Sequence, residues 1–209
     1  MEALWTAFLP KLDVIRQVLN DGLLGRVHTV IADHGEHFGP EHRIMRADLA
    51  GGPMLDLGTY PVAFSQMVLG EPVHVEAQGQ PAPSGVNGQA AMTFVHEGGA
   101  VSLLHCTLLG HTPCGAVVSG AGGMLTIPGK FYTPGPFTLT ADDLSIPLVH
   151  EEEASGYAGL AHQIAHVARC VAGGLTDSPI HPLAETMVTL RSMDRVRERL
   201  GIVFAEERR

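Results

Sequence analysis

Residues 88–109, GQAAMTFVHEGGAVSLLHCTLL, decide the fold. Two strand-like runs, 88–97 and 100–109, flank His96-Glu97-Gly98-Gly99, and paired glycines between such runs signal a hairpin. Further runs at 72–80 and 114–120 lie on either side. Met124 to Ile127 is another short strand. Weak strands at 137–140 and 145–149 follow a loop, 128–136, that carries two aromatics. Strands adjacent in sequence and joined by short turns pair mostly antiparallel.

Helical periodicity brackets this block. Pro10 opens a helix whose apolar face is Leu12, Ile15, Val18 and Leu19. Residues 1–8 read as a short buried strand, and Arg26 to Phe38 as a long one. The polar segment 39–48 reads as a loop or broken helix. Pro53 to Leu69 fits a helix closed by Gly70. Leu160, Ile164, Val167 and Val171 mark one late helix. Leu183, Met187, Leu190, Met193, Val196 and Leu200 mark another, and a last strand covers Ile202 to Ala205. The order implies one α+β domain spanning 1–209, a mostly antiparallel mixed sheet with helices packed on one face. The other face is left open. An open face bearing Val, Leu and Met is an association surface, so a homodimer or higher homo-oligomer is expected.

Composition narrows the partners. The net charge is -9 with only two lysines, Lys11 and Lys130. That balance disfavours nucleic acid and anionic membrane surfaces. No run approaches the ~20 apolar residues of a membrane span. Cys106, Cys114 and Cys170 are odd in number and form no CxxC pair, which reads as reduced thiols in a cytoplasmic protein.

The most specific chemical feature is GGPMLDLGTYPV, residues 51–62. On a helix, Asp56 and Tyr60, four apart, share a face. A carboxylate beside a phenol suits proton transfer, although an aspartate near a helix start is also a common cap. Gly58 between them lets a backbone or ligand come close.

This stretch resembles the GG-x-x-x-D-x-G-x-Y/H-P signature of the Gfo/Idh/MocA family (glucose-fructose oxidoreductase, inositol dehydrogenase, rhizopine catabolism). MEALWTAFLP at the start is similar to the segment that follows that family's nucleotide domain, in particular in its dihydrodiol and xylose dehydrogenase branch. GAGGMLTIPGKFYTPGPFTL (120–139) and YAGLAHQIAHVARCVAGGLTDSPIHPLAETMVTLRSMDRVRERLGI (157–202) resemble its glycine-rich hairpin and closing helix pair. The resemblance implies the C-terminal, substrate-binding domain of an NAD(P)-dependent oxidoreductase acting on a sugar, polyol or dihydrodiol. It implies catalytic roles for Tyr60 as proton donor or acceptor and Asp56 as its partner or a substrate ligand. Trp5 falls where that branch has an aromatic pocket wall, and His34 and Phe38 would line the opposite wall. The open sheet face would make the dimer.

The departures matter as much. No G-x-G-x-x-G follows a strand and opens a helix, and Gly120-Ala121-Gly122-Gly123 lies between strands. There is no Glu-Lys-Pro; Lys11 lies in the wrong segment for the family's catalytic lysine, and Lys130 in a late loop. Ala7 stands where that branch carries arginine. NAD or NADP is thus expected of a full-length family enzyme and not of this chain alone, with residues 1–8 the remnant of a junction to a missing nucleotide-binding domain. The other reading is a stand-alone, self-associating ligand-binding module without turnover. A metal site is not expected: a strand puts His34 and His37 on opposite faces, and His162 and His166 have no evident third ligand.

Overall fold

The structure, a computed structural model, describes residues 1–142, 144–153, 155–204 and 207. Eight strands form one sheet: β1 (Val27–Gly35), β2 (Pro72–Pro81), β3 (Asn87–His96), β4 (Val101–Thr107), β5 (Ala116–Gly120), β6 (Gly123–Ile127), β7 (Phe137–Ala141) and β8 (Leu148–His150). Their order is β2-β3-β4-β1-β5-β6-β7-β8. β1 runs parallel to β4 and antiparallel to β5. The other pairings are antiparallel. The hairpin read at 96–99 is present, with Gly98 and Gly99 both at positive φ.

Side chains alternate across this sheet, as the pleat requires. Val30, Ala32 and His34 of β1, Ala90, Met92 and Phe94 of β3, and Leu104 and Cys106 of β4 are buried. Ile31, Leu103 and Met124, from β1, β4 and β6, stay on the exposed side. The buried face is covered by helices α1 (Pro10–Asn20), α2 (Thr59–Leu69) and α4 (Leu183–Leu200), with α3 (Leu160–Ala172) further out against the N-terminal turn.

Several elements differ from the sequence reading. On α4, Leu183, Met187 and Leu190 of the expected apolar face are exposed, and Met193 and Val196 of it are buried with Thr189 and Ser192. Residues 5–8 form a single 3-10 turn, not a strand. Ala7 N–H bonds Leu4 O and Leu9 N–H bonds Thr6 O, so the backbone satisfies itself locally instead of on a strand edge. The helix expected from Pro53 starts at Thr59. Pro61 explains this: without an N–H it cannot bond the Leu57 carbonyl inside a longer helix, whereas from Thr59 it falls in the first turn, where no such bond is needed. On α3 the expected apolar face is exposed, Ile164 by 66% and Val171 by 71%, and the buried residues are His166 and Cys170. Ile202 to Phe204 are not in a strand; Ala205 lies outside the described residues.

Candidate functional site

The signature segment is a compact turn. Gly51 N–H bonds Arg46 O at 2.9 Å and Gly52 N–H bonds Ile44 O at 2.8 Å. A Cβ on Gly51 would lie 2.5 Å from both of those carbonyl oxygens, so only glycine fits. At Gly58 a Cβ would meet Met54 O at 2.7 Å and Cys106 Sγ at 3.2 Å. The close approach that Gly58 permits is therefore to the chain's own turn and to β4. This seats the start of α2, and Tyr60 with it, against the end of β1.

Tyr60 joins a cluster of rings drawn from four segments. Its hydroxyl accepts a hydrogen bond from Trp5 Nε1 at 3.3 Å. His34, buried at the end of β1, meets Tyr60 edge-on with centroids 5.3 Å apart. Tyr132 stacks on His34 at 4.0 Å and tilts over Tyr60 at 5.0 Å. Tyr157, 83% exposed, stacks on Trp5 at 6.1 Å. Glu36 closes the group: its Oε1 accepts from Tyr132 OH at 2.6 Å and from His34 Nε2 at 3.1 Å. A carboxylate only accepts, so His34 Nε2 carries a proton.

The loop that delivers Tyr132 is held at several points. Thr6 Oγ1 donates to Tyr132 O at 2.8 Å, and the Lys11 ammonium donates to Thr133 O. Phe131 N–H bonds Cys114 O at 2.9 Å. Lys11 is among the most deeply buried side chains in the molecule.

Two expected residues sit apart. Asp56 pairs with Arg43 at 3.0 Å, in the turn before α2, so it does not share a helical face with Tyr60. Its charge still reaches Tyr60. Phe38 packs on His42, with centroids 4.6 Å apart, outside the ring contacts that join Trp5, His34, Tyr60 and Tyr132.

The electrostatics keep protons on the phenols. Burial raises the Tyr60 pKa; the Trp5 hydrogen bond opposes this, and the charges of Asp56 and Glu36 add to it. Burial and the adjoining Glu36 carboxylate push Tyr132 up strongly. Burial opposes ionisation of Glu36, but donation from Tyr132 and His34 holds its pKa below the usual value. Burial lowers the His34 pKa, partly offset by Glu36 and weakly by the Leu57 carbonyl and Asp56. His34 Nδ1 is buried and makes no hydrogen bond of normal geometry among the described residues.

A cavity of about 900 Å³ opens between α1, α2 and the start of α4. Tyr60 lines its edge, but Trp5, His34, Glu36 and Asp56 do not. Its arginines are tied to backbone carbonyls, Arg16 to Ala7 and Arg26 to Gly98. The ring cluster, where donors and acceptors converge, is the stronger candidate for chemistry. Residues 120–123 form the tight β5–β6 turn, where a Cβ on Gly120 would lie 2.1 Å from Leu24 O. That turn is packed against its own chain.

Sequence reasoning brought together Trp5, His34 and Tyr60. It missed Glu36, Tyr132, Tyr157 and the anchoring by Lys11. The two aromatics noted in the loop 128–136 were the available signal for Tyr132; no local pattern marked the others.

Comparison with known proteins agrees with this architecture. Residues 13–126 match the GFO/IDH/MocA C-terminal domain. The chain is 29% identical, over its whole length, to trans-1,2-dihydrobenzene-1,2-diol dehydrogenase of Bos taurus, and 28% to that of Homo sapiens. It spans 64% of the length of each of these relatives. Among solved structures, an aldose-aldose oxidoreductase from Caulobacter crescentus superposes with a TM-score of 0.81 at 22% identity, over 93% of this chain and 59% of that one. A levoglucosan dehydrogenase, solved with NADH and levoglucosan, does so with a TM-score of 0.80 at 14% identity, over 96% and 64%. These likenesses establish the fold, and the family match establishes the lineage: the chain belongs to the GFO/IDH/MocA family, as its C-terminal domain.

Proposed function

We propose that this chain is the substrate-binding and proton-handling domain of an NAD(P)-dependent oxidoreductase acting on a hydroxyl of a sugar, polyol or dihydrodiol. The observation that carries the reading is the Tyr60 hydroxyl, oriented by Trp5 and walled by His34 and Tyr132. Aromatic faces suit the C–H faces of a carbohydrate ring or the planar body of a dihydrodiol. A phenol with a raised pKa stays protonated at neutral pH, and although it is a weaker acid than an ordinary tyrosine, an alkoxide is far more basic than its phenolate. Tyr60 therefore protonates the nascent alkoxide when a ketone is reduced. The reverse reaction needs a positive charge beside the phenol, and the charges that reach it here are negative.

The sequence carries no G-x-G-x-x-G, which supports assigning nucleotide binding and hydride exchange to residues outside this chain. The apolar residues left exposed on α3 and α4, Ile164, Val171, Leu183 and Met187, suit burial against such a domain. Ile31, Leu103 and Met124 on the open sheet face suit self-association, as a dimer or larger. Buried, unpaired cysteines fit a reducing, cytoplasmic setting.

Calorimetry tests the division of labour: NADP is expected not to bind this chain, and micromolar binding would overturn the proposal. In an enzyme joining this chain to a nucleotide-binding domain, Tyr60→Phe should lower kcat by about 100-fold or more with little change in KM. An unchanged kcat removes Tyr60 from the chemistry. Light scattering that finds only monomer would remove the sheet-face interface.

A further inference from the structure

Polar clusters elsewhere in the molecule close on themselves. His96 donates from Nδ1 to Gly70 O, and its Nε2 is met by Ser102, which bonds Ser65. At the start of the last helix, Ser178 Oγ accepts from the N–H groups of Ile180 and His181, so its own proton points to His166 Nε2. That lone pair is then occupied, and His166 is not free to deprotonate Cys170 beside it. Neither cluster presents an open group to a ligand.

Glu36 differs. Its Oε1 is fixed by two donors, Tyr132 OH and His34 Nε2, both on rings of the cluster around Tyr60. Its Oε2 makes no hydrogen bond among the described residues, and the side chain is 34% exposed. The carboxylate is thus immobilised through one oxygen and open through the other. Among the described residues no lysine or arginine pairs with it: His34 is buried with a lowered pKa, and Lys130 acts only at a distance. Asp56, the other carboxylate nearby, is paired with Arg43. A fixed, ionised acceptor beside aromatic walls is the arrangement that binds a ring hydroxyl. The same negative charge repels a second carboxylate.

We infer that Glu36 is a substrate-binding residue: its Oε2 accepts a hydrogen bond from a ring hydroxyl, and its charge selects neutral cyclic polyols over acidic ones, with Tyr132 as the positioning residue that holds it. This rests on reading the ring cluster as the substrate site. The pair of oxygens divides the work. Oε1 sets the orientation, and Oε2 contacts the ligand.

Trp5 is the single tryptophan of the chain and touches Tyr60, so its fluorescence reports on the site. The experiment titrates D-glucose and D-glucuronate, which differ in one carboxylate, into the wild-type chain, Glu36→Gln and Tyr132→Phe. Wild type is expected to bind glucose about tenfold or more tightly than glucuronate. Glu36→Gln should weaken glucose by about tenfold and narrow the gap to glucuronate. Tyr132→Phe keeps the ring, releases Oε1, and should weaken glucose by a smaller factor; it also serves if Glu36→Gln does not fold. Loss of glucose affinity without a change in selectivity would reduce Glu36 to a structural role and overturn the inference. So would glucose affinity and selectivity that neither substitution alters. If neither sugar changes Trp5 fluorescence in the wild type, the underlying assignment of the substrate site fails, and that result is distinct from failure of Glu36 alone.

Discussion

The indole Nε1 of Trp5 donates to the hydroxyl of Tyr60 across 55 positions of sequence, at 3.3 Å. A donor to this oxygen favours the phenolate, while burial favours the phenol, and burial prevails. Trp5→Phe keeps an aromatic wall but removes the donor. The Tyr60 pKa is then expected to rise further, read as a shift of its phenolate absorbance to higher pH relative to wild type. Stability should fall by about 1 kcal/mol, the usual contribution of one neutral hydrogen bond. A Tyr60 titration that stays in place would remove Trp5 as its tuning partner.

The segment bearing Trp5 is tied down at its other end by His181. This buried imidazole bonds Glu185 at 3.1 Å through Nδ1 and approaches Glu2 at 3.4 Å through Nε2. Burial disfavours its charge, but the hydrogen bonds and charges of Glu2 and Glu185 outweigh burial and raise its pKa above 6.5. A raised pKa means that folding takes up a proton. The stabilisation is full below pH 6.5 and is lost as pH rises through the folded-state value. Buried His96 titrates in the opposite sense, its pKa lowered by burial, so the test is a difference. The stability gap between wild type and His181→Gln, from urea denaturation, should shrink from acid towards alkaline pH. A gap that does not depend on pH would show that the ion pairs carry none of it.

Lys11 supports the loop carrying Tyr132 through the Thr133 carbonyl. Burial lowers its pKa from 10.5 to about 8, with the Glu152 charge opposing. The unfolded chain therefore holds this proton between pH 8 and 10.5 where the folded chain has released it. The cost of the buried charge is present below that window and disappears as pH rises through it. Compared with Lys11→Met, wild type should gain relative stability on going from neutral pH to pH 10.5. A constant difference would mean that the amine is solvated in the folded state.

Sequence by itself determined the elements that local physics controls. Period-two alternation and the glycines at 98–99 placed β3 and β4, and Pro10 with the Leu12–Ile15–Val18 stripe placed α1. The element order sufficed for an α+β fold with one face covered, because neighbouring strands pair with neighbours. Tyr60, Trp5 and His34 were legible because they fall in a recognisable family pattern. Tertiary structure alone decided the rest. Residues 5–8 form a 3-10 turn whose N–H groups bond within the segment, and α2 starts six residues later than Pro53 because Pro61 tolerates only the first turn. Asp56, left outside the helix, pairs with Arg43. Glu36 and Tyr132 meet across 96 positions, and Thr6 reaches Tyr132 across 126. No local preference encodes such contacts; they exist because the sheet brings the end of β1 beside the loop between β6 and β7, where polar groups taken from water pair with one another.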